Sequence, residues 1–245
     1  MQNPEVLMSI DNKIVAKSWI DLNPNKENPV RHTGQDYLKF INTDFFSESA
    51  KFFLKHKTYT YAPEGTAEYA EYWDEQEDRC INGYTVGGVR ITGEHYAYLN
   101  FGRILATVDT GKRQRKIDTF PKFLDMDYYW YHELEQAEEN GQGMIVVKAR
   151  RKGYSYKNAF GMVWRYNWFP SSIAILAAFE KTFWANTMEM AKHMINFLNE
   201  NTDWRKGFLI DRQDYVRSGY VEKDPISGIS IQKGYKSEIL ALSFK

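Results

Sequence analysis

The stretch Val146-Val147-Lys148-Ala149-Arg150-Arg151-Lys152-Gly153-Tyr154-Ser155-Tyr156-Lys157 concentrates the residue types that hold phosphate. It lies between a β-branched run, Met144-Ile145-Val146-Val147, and a helix-like segment, Tyr156 to Trp168. A strand-to-helix turn suits an anion, because the loop's backbone N–H groups and the helix N-terminus point at the same spot. Gly153 lets the backbone come close to that anion. Ser155, in the first helical turn, can ligate Mg²⁺ through its hydroxyl. The standard phosphate-loop pattern is G-x-x-x-x-G-K-[ST]. Gly153 fills the second glycine and Ser155 the last position, but Tyr154 stands where the lysine belongs and Lys148 where the first glycine belongs. The cation needed at the β/γ-phosphates would then come from Lys148, at the end of the strand, with Arg150, Arg151 and Lys152 adding charge. A basic strand-to-helix turn on the protein surface is the alternative reading of the same spacing.

The elements that must hold this loop follow from periodicity. Met144 to Val147 is short and wholly apolar, which predicts a buried parallel strand. Pro121 suits a first helical position, and Pro121 to Glu139 reads as a helix ending at Asn140-Gly141. Ser172 to Phe179 predicts a second buried strand. Thr182 to Asn199 is a strong helix, with Met188, Ala191, Ile195 and Leu198 on one stripe. Helix, strand, helix, strand, helix is the grammar of an α/β fold. Upstream, residues 1–35 read as a polar arm, while 35–56 and 66–79 are helix-like. Residues 81–105, punctuated by Gly83, Gly87, Gly88, Gly93 and Gly102, read as strands and turns, including Tyr96 to Leu99. Gly111 to Lys116 is a basic, turn-like run, expected to be a solvated hairpin tip, with contact to a phosphate backbone as the alternative. Tyr220 to Phe244 reads as a hairpin followed by a strand, Glu238 to Phe244.

Composition narrows the classes. The chain has 245 residues, enough for one large domain or two small ones. Lys plus Arg number 32 and Asp plus Glu number 32, which excludes a globally basic nucleic-acid coat but not a local basic patch. Cys80 is the single cysteine, so neither an internal disulfide nor a cysteine-rich metal site is available. The histidines have no His-x-x-x-His spacing, so a zinc-hydrolase reading lacks its ligands. The first 20 residues are not a signal peptide and no run is long enough to span a membrane, so a cytosolic protein is expected.

Lys148-Ala149-Arg150-Arg151-Lys152-Gly153-Tyr154-Ser155 resembles the deviant Walker A of tailed-phage terminase large subunits, in the lambda-like form where the lysine moves to the front of the loop and Gly-Tyr-Ser closes it. Lys148, Arg151, Gly153, Tyr154 and Ser155 match position by position. Ile175 to Ala178 with the helix from Thr182 is similar to the family's next strand and helix, and Gly93 to Phe101 is similar to a segment upstream of its loop. The resemblance covers roughly residues 93–200. It implies the ATPase portion of a DNA-packaging motor: an α/β P-loop core of the ASCE type, incomplete in this chain, preceded by a helical and β-rich extension. The extension would be 1–110 and the ATPase portion 111–245. ATP and Mg²⁺ would be the cofactors. Double-stranded DNA, a portal protein, a terminase small subunit and further copies in a ring would be the partners, in the cytoplasm of the host cell and without a membrane.

In that scheme Lys148 and Arg151 act on the phosphates, Lys148 neutralising them and Arg150 or Arg151 sensing the γ-phosphate or contacting a neighbouring subunit. The backbone N–H groups of Arg151 to Tyr154 cradle them, Ala149, Arg150 and Lys152 belong to the same nucleotide-binding loop, Ser155 holds Mg²⁺, and Phe120 sits where related motors contact adenine. A core position is the competing reading of Phe120. The chain departs from the family in lacking an apolar run that ends in Asp-Glu. Phe208-Leu209-Ile210-Asp211 only mimics one, with Arg212 in place of the Glu, so the chain is expected to stop short of that element and to hydrolyse poorly. The nuclease carboxylates of the family are likewise expected to be absent. Asp125 and Asp127, two apart on a helix, diverge and are expected on a solvated face. Trp164, Trp168, Trp184 and Trp204 are expected to pack helices on the sheet. The rival functions are another P-loop enzyme, helicase-like or kinase-like, and a non-enzymatic DNA-binding or virion structural protein.

Overall fold

The computed structural model describes residues 42–109, 114–148 and 153–244, and shows a mixed α/β chain with six helices and several small sheets. It divides into two compact units: residues up to Asn100 with Phe120–Arg150, and Phe101–Thr119 with Arg151–Lys245. Among the described residues no helix is long and apolar enough to cross a membrane.

The first unit opens with a 3₁₀ turn, Thr43–Ser47, that leads into α1, Glu48–His56. Lys57 stops α1 in the left-handed conformation while its N–H bonds Phe53 O at 2.8 Å. Helix α2, Ala67–Asn82, is capped by Thr66, whose hydroxyl accepts from Tyr69 N. It ends at Gly83, where an added Cβ would lie 2.4 Å from Ile91 O. Strands β1, Tyr84–Val86, and β2, Val89–Ile91, pair as an antiparallel hairpin. Helix α3, Gly93–Phe101, follows, and α4 spans Asp125–Glu139. The core is aromatic: Phe46, Phe53, Tyr59, Trp73, Tyr96, Phe120, Tyr128 and Tyr131 are all buried. Asn100 ties its layers together, accepting from Ala50 N and donating to Phe46 O and Tyr96 O. Arg90 forks onto Glu135 with bonds of 2.6 and 2.8 Å, joining β2 to α4.

Four expectations fail in this unit, the first at Pro121: α4 starts only at Asp125 after an extended Leu124, so the proline does not hold a first helical position. Tyr96 to Leu99 is helical, because Thr92 starts a helix by accepting His95 N on its hydroxyl and Tyr96 N on its carbonyl. That helix is buried on every side, so it shows no amphipathic period to betray it. Asp127 is buried, not solvated; it sits in the first turn of α4, where the helix dipole favours a carboxylate. Met144 to Val147 is not a strand: residues 142–148 form no regular structure, and Ile145 and Val147 are 93 % and 95 % exposed. A β-branched run becomes a strand only where another strand supplies its hydrogen bonds, and none of the described strands pairs with it. The N-terminal arm, 1–35, and the first part of the 35–56 segment lie outside the described residues.

The second unit holds the hairpin β3, Ile104–Asp109, with β4, Gln114–Thr119. It continues with α5, Tyr154–Trp168, β5, Ile173–Ala178, and α6, Lys181–Asn201. Strands β6, Phe208–Asp211, and β7, Tyr215–Ser218, come next, then the hairpin β8, Tyr220–Lys223, with β9, Ser230–Lys233, and finally β10, Glu238–Ser243. Its main sheet runs β5-β10-β7-β6, with β10 parallel to β5 and antiparallel to β7. Helices α5 and α6 pack on β5 and β10. Ile239, Ala241 and Val216 line the covered face, and all four tryptophans of the sequence reading are buried in this unit. The strand expected at Ser172 to Phe179 forms, but at the edge of the sheet, with Ile173 and Ile175 exposed on its open face. The basic run also shifts: Gln114, Arg115 and Lys116 belong to β4, and only 110–113, outside the described residues, is left for the tip.

Candidate functional site

The loop's second half is assembled by the start of α5. Gly153 stands at the N-cap with φ 72°, a left-handed conformation that suits glycine, and the space where a Cβ would sit is open to 4 Å. Its carbonyl accepts the first helical bonds, from Tyr156 N at 3.0 Å and Lys157 N at 3.3 Å. Gly153 has no side chain to cap this end of the helix, and no acidic residue stands in its first turn. The N–H groups of that first turn carry the partial positive charge of the helix terminus. Ser155 is exposed in that first turn and Tyr154 is half-buried. Below them the helix is anchored by Ala159, Phe160 and Val163, each fully buried.

Lys148 is exposed and belongs to the first unit; Gly153, Tyr154 and Ser155 belong to the second. Ala149, Arg150, Arg151 and Lys152 lie outside the described residues. Phe120 is buried in the aromatic core of the first unit, edge-on to Phe53 with ring centroids 5.8 Å apart. That is the core position, and the adenine contact has no exposed ring to use.

The chemistry of the site is one-sided. A left-handed glycine, a helix N-terminus and an exposed hydroxyl are groups that can meet the oxygens of a phosphate. For Mg²⁺ the first turn offers the Ser155 hydroxyl, and no group of three or more His, Cys, Asp or Glu side chains among the described residues could hold a metal. Asp211, the end of the Asp-Glu mimic, lies on the outer antiparallel strand β6 and pairs with Lys192 on α6. It is a surface ion pair.

Sequence reasoning overlooked Tyr156. Its hydroxyl accepts Leu105 N at 3.1 Å, which fastens the first turn of α5 to the β3–β4 hairpin. The hairpin is also held to α6, since Asp118 on β4 takes Arg103 and His193, both at 3.1 Å. Arg103 lies over the Phe197 ring, 4.7 Å from its centre. The only sequence signal for the first link was an aromatic residue directly after Gly-Tyr-Ser. No protein-family model matches the chain, and neither a curated protein nor a solved structure emerges as similar to it.

Proposed function

We propose that the chain is the ATP-binding N-terminal part of a viral terminase large subunit, a P-loop ATPase of the ASCE type that powers movement of double-stranded DNA into a procapsid. The start of α5 supports this reading: a left-handed glycine at the N-cap and an exposed serine in the first turn, in the sequence context Lys-Ala-Arg-Arg-Lys-Gly-Tyr-Ser. ATP with Mg²⁺ is the ligand. The N–H groups at Tyr154 and Ser155 receive phosphate oxygens, Lys148 supplies positive charge from the leading side, and the Ser155 hydroxyl holds the metal. Arg151 answers the γ-phosphate. Slow hydrolysis by this chain alone is part of the proposal, since no carboxylate pair among the described residues adjoins the start of α5 to position metal and water. A portal, a small subunit and further copies of the chain complete the machine in the host cytoplasm.

The test is equilibrium binding of a fluorescent ATP analogue with and without Mg²⁺. Losing a charge-assisted bond costs about 1.5–3 kcal/mol, so Lys148→Ala is expected to weaken binding roughly ten- to a hundredfold. Ser155→Ala is expected to erase the Mg²⁺ dependence. Equal affinity in wild type and Lys148→Ala overturns the reading in favour of a basic turn that merely touches phosphate.

A further inference from the structure

The β3–β4 hairpin stands apart from the sheets around it. Its strands pair only with each other among the described strands, over six residues each, a ribbon on the order of 20 Å long. The register sets Arg115 opposite Val108 and Lys116 opposite Thr107. Adjacent strand residues point to opposite faces, so these two cations project from the two sides of the ribbon. Both are exposed, and neither forms an ion pair among the described residues. The acid next along β4, Asp118, is already taken by Arg103 and His193. With Asp118 matched at the root, the outer half of the ribbon carries Arg115 and Lys116 against one acid, Asp109, which faces Gln114 in the ladder.

The root is fixed as well. Leu105 N bonds Tyr156, Asp118 holds Arg103 and His193, and the guanidinium of Arg103 lies on Phe197. A ribbon held this way presents its cations with little further entropy to lose. The major groove of duplex DNA is about 12 Å wide and admits a two-stranded β-ribbon. A ribbon lying in a groove faces a phosphate wall on each side, and one cation per face matches that arrangement. A single acidic peptide would meet only one of the two.

We infer that the β3–β4 hairpin is a nucleic-acid contact, with Arg115 and Lys116 on its opposite faces binding the phosphates of duplex DNA. The hairpin shares its DNA partner with the packaging proposal but rests on its own charge and pairing. Arg115→Ala/Lys116→Ala is the informative variant, and since both side chains are exposed it should fold, as unchanged circular dichroism will register. Binding of a fluorescein-labelled duplex is followed by anisotropy as KCl is raised. Wild type is expected to bind with a log–log salt slope steeper by about 1.8 than the variant, the value for two phosphate contacts. Arg115→Lys, which keeps the charge, is expected to bind as wild type does. ATP affinity is expected to be unchanged in the double variant, and DNA binding is expected to survive Lys148→Ala, so the two proposals can fail separately. No duplex binding by wild type, an identical slope in the double variant, equal binding of wild type to polyglutamate, or a matching loss of ATP affinity would each overturn the DNA assignment.

Discussion

His132 shows how a single buried side chain sets a pH limit on this fold. Its Nδ1 lies 2.7 Å from Tyr128 O on the previous turn of α4, and the ring is packed against Tyr128 with centroids 4.1 Å apart. Burial lowers its pKa from 6.5 to about 4, against the pull of the Tyr128 carbonyl and Glu135, with Arg90 adding to the drop. The folded state therefore holds the neutral ring, while the unfolded chain takes up a proton from pH 6.5 downward. Stability from this group is complete above 6.5 and falls as the pH drops towards 4, by about 3 kcal/mol in all. Urea unfolding at a series of pH values is expected to show that decline in wild type. His132→Gln is expected to be less stable at pH 7 but to have a shallower slope between 6.5 and 4. Equal slopes in the two proteins would remove His132 as the cause. At the same scale Gly153 sets a chemical limit: with φ 72°, any side chain there costs about 1 kcal/mol and fills the space a phosphate would approach.

At the scale of elements, the link between α5 and the hairpin can be measured alone. Leu105 faces Asp118 in the ladder, and its N–H turns outward to the Tyr156 hydroxyl. A neutral hydrogen bond of this kind contributes about 1 kcal/mol. Tyr156→Phe is therefore expected to speed amide exchange at Leu105 about fivefold, while amides inside α5 keep their protection. No change at Leu105 would mean that the hairpin is held by Asp118 alone. The elements also show what could be read in advance. Helices α2, α5 and α6 and the strand β10 were legible, since each has a regular stripe or a compact apolar run with clear ends. Helix α3 was hidden because total burial erases periodicity, and Met144 to Val147 misled because apolar composition reports what a strand needs but not whether a partner strand is present. At the candidate site, spacing made the helix start legible: α5 begins directly after Gly153 with Ser155 in its first turn. The Tyr156 brace was not, for it joins residues 51 positions apart in the chain.

At the scale of the molecule, the second unit is a layered sheet with helices packed on one face. The opposite face carries Ile173, Ile175 and Leu242, with Phe179 and Phe244 just past the strand ends, all exposed. In register Ile175 lies beside Leu240 and Ala177 beside Leu242, so the apolar side chains form a continuous strip across the parallel pair β5 and β10. Such a strip costs free energy in water and makes molecules adhere. Ile175 lies at its centre and is 58 % exposed, so replacing it removes little buried contact. Ile175→Lys is expected to lower the fluorescence of a bound hydrophobic dye and to raise the concentration at which the protein stays monodisperse. A surface substitution of this kind changes stability by about 0.5 kcal/mol or less, which for a chain of this size moves the melting temperature by roughly 2 °C at most. Light scattering and a thermal scan on the same samples separate the two effects. A large fall in melting temperature would show that Ile175 is packed in solution, and unchanged dye binding would show that the strip is not what the solvent meets.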